Sequence, residues 1–167
     1  MTLPKIIKLK KFNDERGFFK NIFDKKIIKN LKISKDITDY QISISYNKKR
    51  VLRGLHYQVP MQNKFVYLLE GKIQDVMVNI DRKSKNFGKC YEFILNDNTD
   101  ILFIPKNYAH GFCALENSKI IYILDKNYNQ RNEHTINWKD KKLDIKWKYT
   151  NPIVSNKDKM GKSISEL

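Results

Sequence analysis

His56 stands in RGLHY, with Arg53 three residues before it and Lys64 eight residues after it. A neutral imidazole can take a proton near neutral pH, and cations beside it suit an anion or a developing oxyanion. A strand histidine by itself reads as structural, but if Arg53, His56 and Lys64 share the mouth of one hairpin they form an anion or oxyanion site. A regular strand turns residues three apart to opposite faces. Gly54 lies between Arg53 and His56 and can host a bulge that turns both inward.

His110 stands in PKNYAHGF, where Pro105 and Gly111 bracket a turn into a strand and so place it at a barrel rim. A metal site needs three or four converging ligands, and here no second histidine follows His56 at close spacing. His134 falls in a polar loop. No metal and no other cofactor are expected. Tyr122, in KIIYILD, reads either as strand packing with its hydroxyl at an edge or as a general acid. Asp158, in VSNKDK, reads by itself as a solvated charge. Cys90 and Cys113 form no CxxC pair, which excludes a zinc ribbon or a thioredoxin-like motif. Both sit in apolar runs and read as small core residues, compatible with a reducing cytoplasm.

The elements that must position these groups are mostly short strands. KIIKLKKF (5–12) and RGFFKNIF (16–23) flank the polar turn NDE. DKKIIKNL (24–31) has helical apolar spacing and predicts a short helix. QISISY (41–46), VLRGLHYQ (51–58), KFVYLLE (64–70), KIQDVMVNI (72–80), CYEFILN (90–96), DILFIP (100–105), AHGFCALE (109–116) and KIIYILD (119–125) follow as strands. EGK at 70–72 reads as a tight hairpin. Evenly spaced short strands predict an all-β barrel or sandwich in one domain over 1–167. A loop-rich tail follows from about 126, pinned by Trp138 and Trp147.

Composition narrows the function classes. The chain of 167 residues is 41% hydrophobic and 12% aromatic, so a folded core is expected rather than disorder. The net charge is +15, from 33 Lys and Arg against 18 Asp and Glu. A polyanion partner is one reading, but the lysines are scattered along the whole chain, as a compositional habit would leave them. No RRM, KH or similar nucleic-acid motif is visible, so no nucleic-acid partner is expected. No apolar run approaches the roughly 18 residues of a membrane span, and MTLPKIIKLKKF lacks a signal-peptide core. A cytoplasmic protein with no membrane partner is expected.

In order along the chain, NDERGFF (13–19), VLRGLHYQ (51–58), NFGK (86–89), IPKNYAHGF (104–112), the Tyr122 strand, INWKDKKLDIKW (136–147) and PIVSNKD (152–158) resemble the dTDP-4-dehydrorhamnose 3,5-epimerase family. Tyr122 rather than Ile123 takes the family's tyrosine position, because Glu133 and Trp138 then fall in register. The resemblance implies a cupin-type jelly-roll barrel, a homodimer, and a nucleotide-diphosphate sugar bearing a 4-keto group as substrate. It implies that His56 is the base, oriented by Asp158. Lys64 would stabilise an enolate oxygen, and Tyr122 would return a proton from the opposite face. Arg53 and His110 would line the sugar site, Arg16 would reach the diphosphate from the partner subunit, and Tyr128 would hold the nucleotide end. Phe19, Gln41, Ser43 and Glu133 complete the implied substrate contacts. The implied role is deoxysugar synthesis for surface polysaccharide.

The chain departs from the family pattern at Asn63 in QNK, at Ser43 where Asn is usual, and at Asn21 where an acid is common. These positions bear on nucleotide and sugar contacts. They leave open a GDP-linked 4-keto-heptose and a one-centre epimerase. The competing reading within the same superfamily is a sugar-nucleotide 3,4-ketoisomerase.

Overall fold

The computed structural model describes residues 2–31 and 40–167, with strands numbered here in chain order. Five strands form one antiparallel sheet in the order β1 (Lys5–Ile7), β9 (Ile101–Ile104), β6 (Lys64–Glu70), β11 (Ser118–Leu124) and β4 (Gln41–Asn47). The facing sheet runs β12 (Glu133–Thr135), β5 (Val51–Gln58), β10 (Tyr108–Ala114), β7 (Lys72–Asn79) and β8 (Cys90–Asn96). A sixth strand, β13 (Ile153–Val154), lies parallel to the start of β5. This is the cupin-type jelly roll that the family resemblance implies.

Three apolar layers hold the sheets. Val66, Leu68, Ile73, Met77, Leu102, Phe112 and Ile120, drawn from both sheets, fill the space between them. Alternate residues Phe65, Tyr67, Phe103 and Ile123 cover the outer side of the five-stranded sheet, under Phe23 and Ile27. Leu55, Val76, Val78 and Ala109 cover the outer side of the other sheet, under Ile136, Leu143 and Ile164 of the tail. Burial on both faces explains why β9 and β10 read as continuous apolar runs instead of alternating ones. Phe65 is fully buried in this packing. Cutting it back to alanine would cost about 3–5 kcal/mol, as large core truncations do.

The helix α1 (Lys25–Asn30) begins where Asp24 accepts hydrogen bonds from the Lys26 and Ile27 amides, a standard N-cap. Three strand expectations are corrected. The stretch 5–12 is two strands: β1 pairs with β9, whereas β2 (Lys11–Asp14) pairs with β3 (Gly17–Lys20) in a separate hairpin. The stretch 16–23 keeps only β3. EGK is a tight turn but not a hairpin, because β6 and β7 lie in different sheets and the chain crosses between them. Gly71 makes that crossing with φ +93, and a Cβ there would stand 2.2 Å from the Asn117 carbonyl oxygen. Local sequence encodes a reversal but not which edges later pair. The tail is loop-rich yet structured: β12 and β13 share one edge of β5, and α2 (Asn156–Lys159) follows. Trp138 is buried, and Trp147 donates its indole N–H to the Trp138 carbonyl at 2.8 Å. Cys113 is buried as expected, but Cys90 is only half-buried.

Candidate active site

A cleft of about 700 Å³ opens between the sheets. Strand β4 shows how a period of two builds one wall. Gln41, Ser43 and Ser45 line the cleft, while Ile42, Ile44 and Tyr46 point outward and are exposed. On β11 the same alternation sends Tyr122 and Leu124 to the cleft and buries Ile123 in the outer layer. Lys64 opens β6 beneath them.

The opposite wall depends on an irregularity. Arg53 lies opposite Phe112 and His56 opposite His110, so β5 carries one more residue than β10 between those pairs. Gly54 takes up the extra residue at φ +125, a conformation suited to glycine. A Cβ at Gly54 would meet Gly111 Cα at 2.5 Å. The bulge turns Arg53 and His56 into the same cleft, as the glycine between them allows. The single-hairpin picture is corrected, however. Lys64 comes from the facing sheet, not from a strand paired with β5. His110 is also corrected: it is no rim residue but a buried side chain of the central strand β10, because β5 and β7 flank it on both sides.

His56 Nε2 lies 2.6 Å from Asp158 Oδ1, and the Gly54 amide donates to Asp158 Oδ2 at 3.2 Å. Asp158 is 3% exposed, so its reading as a solvated charge fails. It sits at the start of α2, whose N-cap is Ser155. Burial pushes its carboxyl upward, but hydrogen bonds from His56 and Gly54 outweigh this and hold it below the usual value. With Nε2–H donating to Asp158, the imidazole lone pair lies on Nδ1, which faces Glu133 Oε1 at 3.8 Å. Glu133 in turn accepts from Tyr128 Oη at 2.9 Å and pairs with Lys157.

A second pair lies deeper. His110 Nε2 stands 2.8 Å from Asp75 Oδ1. Lys64 donates to the His56 carbonyl at 3.1 Å. Burial pushes the Lys64 ammonium down to about 8, with Asp75 acting the other way. Burial likewise pushes the Tyr122 phenol well upward, and Asp75 adds to this while Ser45 and Arg53 oppose it. Among the described residues, no group of three or more His, Cys, Asp or Glu side chains could hold a metal ion.

Ten of the twelve predicted site residues therefore line one cleft: Gln41, Ser43, Arg53, His56, Lys64, His110, Tyr122, Tyr128, Glu133 and Asp158. Arg16 and Phe19 do not. They sit on the exposed β2–β3 hairpin, where Arg16 pairs with Asp14 at 2.6 Å. Residues no motif singles out complete the site, Ser45, Gln62 and Lys157 on the cleft wall and Asp75 behind His110. Asp75 is fully buried in KIQDVMVNI, and an acid inside an apolar strand is the signal that marks it. Ser45, Gln62 and Lys157 carry no comparable signal.

Comparison with known proteins gives one answer. The family model described as dTDP-4-dehydrorhamnose 3,5-epimerase matches residues 4–166. The dTDP-4-dehydrorhamnose 3,5-epimerase of Shigella flexneri is 38% identical over 160 residues, covering 93% of this chain and 88% of that one. The Escherichia coli K12 enzyme of the same name is 33% identical, with 97% and 90% covered. The crystal structure of the Legionella pneumophila dTDP-6-deoxy-D-glucose-3,5-epimerase, in complex with dTDP-4-keto-L-rhamnose, superposes with a TM-score of 0.87. It is 36% identical and covers 97% of this chain and 88% of its own. The Bacillus anthracis dTDP-4-dehydrorhamnose 3,5-epimerase, with TDP and pyrophosphate bound, superposes at 0.85 with 31% identity, covering 96% and 99%. Matched over nearly its whole length in both sequence and fold, the chain belongs to the dTDP-4-dehydrorhamnose 3,5-epimerase family.

Proposed function

We propose that this chain inverts C3 and C5 of a dTDP-4-keto-6-deoxyhexose, as an epimerase of cytoplasmic deoxysugar synthesis for surface polysaccharide. The observation that carries the reading is the origin of the two proton-transfer groups. His56 comes from one sheet and Tyr122 from the other, so the cleft between them has a base on one wall and an acid on the facing wall. Inversion at carbon needs that arrangement.

A 4-keto group acidifies the protons at C3 and C5, since their loss gives an enolate. His56 takes the proton at Nδ1, and Asp158 stabilises the imidazolium that results. The Lys64 ammonium neutralises the enolate oxygen. Tyr122 returns a proton to the other face. Arg53 and His110 bind the sugar, while Gln41, Ser43, Tyr128 and Glu133 hold the nucleotide diphosphate end. Arg16 and Phe19 belong to this site through a homodimer, in which the exposed hairpin of one copy reaches the cleft of the other. The outward apolar residues Ile42, Ile44 and Tyr46 on edge strand β4 support such pairing.

Proton NMR in D2O, with a panel of dTDP- and GDP-linked 4-keto sugars, tests the reading. Deuterium should enter C3 and C5 of the dTDP-4-keto-6-deoxyglucose sugar while the keto group stays at C4. Movement of the keto group would make the protein a ketoisomerase. Exchange confined to GDP sugars would overturn the substrate.

A further inference from the structure

Tyr122 is held by more than packing. On β4, Asn47 follows Ser45 by two residues, so both face the same way. Arg53 Nε donates to Asn47 Oδ1 at 2.8 Å. Asn47 Nδ2 donates to Ser45 Oγ at 3.0 Å. Ser45 Oγ donates to the Tyr122 hydroxyl oxygen at 3.4 Å. Every bond in this row points the same way, from the guanidinium to the phenol. Asn47 is 1% exposed and does not line the cleft, so it reaches the reacting atoms only through its neighbours.

We propose that Ser45 and Asn47 are positioning residues for Tyr122, aiming its proton into the cleft and supporting the charge left when that proton departs. The proposal rests on the reading of Tyr122 as the acid. Asn47 occupies a lone pair of Ser45 and leaves the serine proton free to donate onward. Tyr122 oxygen then accepts from Ser45, which turns its own O–H away from the protein and toward the substrate. In the transfer, the Tyr122 O–H bond breaks as a C–H bond forms on the enolate carbon, leaving a phenolate. Water restores the phenol after product leaves, as the His56 imidazolium gives its proton up. A phenolate in a buried site is costly without donors, and a chain of aligned donors headed by a cation strengthens each of its bonds. The last bond is the longest of the row, and catalytic hydrogen bonds commonly tighten when substrate fills the site.

Four variants test this: Ser45→Ala, Ser45→Thr, Asn47→Asp and Tyr122→Phe. Asn47→Asp keeps shape and the Arg53 contact but replaces the donor to Ser45 by an acceptor, so the serine proton turns back. The readout is the ratio of net inversion to deuterium uptake at C3 and C5, measured by NMR. Ser45→Ala and Asn47→Asp should each lower that ratio about ten-fold, the scale of one hydrogen bond to a charged group. Ser45→Thr, which keeps the hydroxyl, should restore it to within about two-fold of native. A merely structural role would slow uptake and inversion together and leave the ratio unchanged. If Tyr122→Phe lowers the ratio while Ser45→Ala and Asn47→Asp leave it native, the relay is wrong and the acid stands. If Tyr122→Phe itself leaves the ratio native, the reading of Tyr122 fails. Should Asn47→Asp not fold, the Ser45→Ala and Ser45→Thr pair decides the question.

Discussion

Two histidine–carboxylate pairs each bring an imidazole to this cleft, and they are built alike but situated differently. His56 and Asp158 are 2.6 Å apart; His110 and Asp75 are 2.8 Å apart. The first pair joins a barrel strand to the tail across 102 residues, and its imidazole side chain is 24% exposed. Asp158 is fully engaged, since both its oxygens accept hydrogen bonds. The second pair lies within the six-stranded sheet, buried on both sides. Asp75 Oδ2 has no hydrogen-bond partner among the described residues. A buried carboxylate with a free lone pair exerts its field on nearby charges with little screening. Lys64 and Tyr122 both feel Asp75. The same pairing of residue types thus serves two ends. Where the imidazole reaches solvent, the pair has the exposure that the proposed proton transfer requires. Where the carboxylate is sealed behind its imidazole, its charge raises the pKa of both Lys64 and Tyr122.

The contrast breaks first at His56. His56→Ala should cost about 10²–10⁴-fold in deuterium uptake at both carbons, the usual scale for loss of a general base. Near-native uptake would show that His110 or another group is the base. The buried pair should speak through pH instead. Lys64 stabilises the enolate only when protonated, and its ammonium lies near 8, so kcat/KM should fall as pH rises through about 8. Asp75 opposes the effect of burial on Lys64, so Asp75→Asn should move that alkaline limb to lower pH by about one unit. A limb that stays in place would remove Asp75 from the control of Lys64.

Asp158 should matter for stability as well as catalysis. Its folded pKa lies below the ordinary 3.8, so its contribution is present above that value and lost as pH falls through the lower, folded one. Asp158→Asn should cost about 1–3 kcal/mol at pH 7, for a buried hydrogen bond to a charged partner. Thermal unfolding of the native and variant proteins should then converge below about pH 4. A constant gap across pH would assign the loss to packing. The smallest effect expected is none at all. Among the described residues no three His, Cys, Asp or Glu side chains converge as a metal site requires. Dialysis against EDTA should leave turnover unchanged, and loss on chelation restored by zinc would overturn this.

Much of the barrel was legible because local chemistry dictates it. Strands 51–58, 64–70 and 90–96 have the bounds their apolar patterns and turn residues predict. Asp24 marks the start of the helix, and Gly54 marks the bulge that reconciles Arg53 with His56. Long-range pairing was not legible. The run 5–12 gives no sign that its two halves join different partners, and EGK looks the same whether it closes a hairpin or carries the chain to the facing sheet. His110 reads as a rim residue because Pro105 and Gly111 announce a turn, yet neighbours on both sides of β10 bury it. Asp75 and Asn47 have no motif at all; only packing brings one beside Lys64 and the other behind Ser45. What the sequence determined by itself was the set of strands, the side chains each presents on one face, and the ordered motifs that mark the family. Only the tertiary structure decided which of those faces meet, because the groups that converge on the cleft lie as far apart in sequence as Gly54 and Asp158, whose contact no period of two or 3.6 can encode.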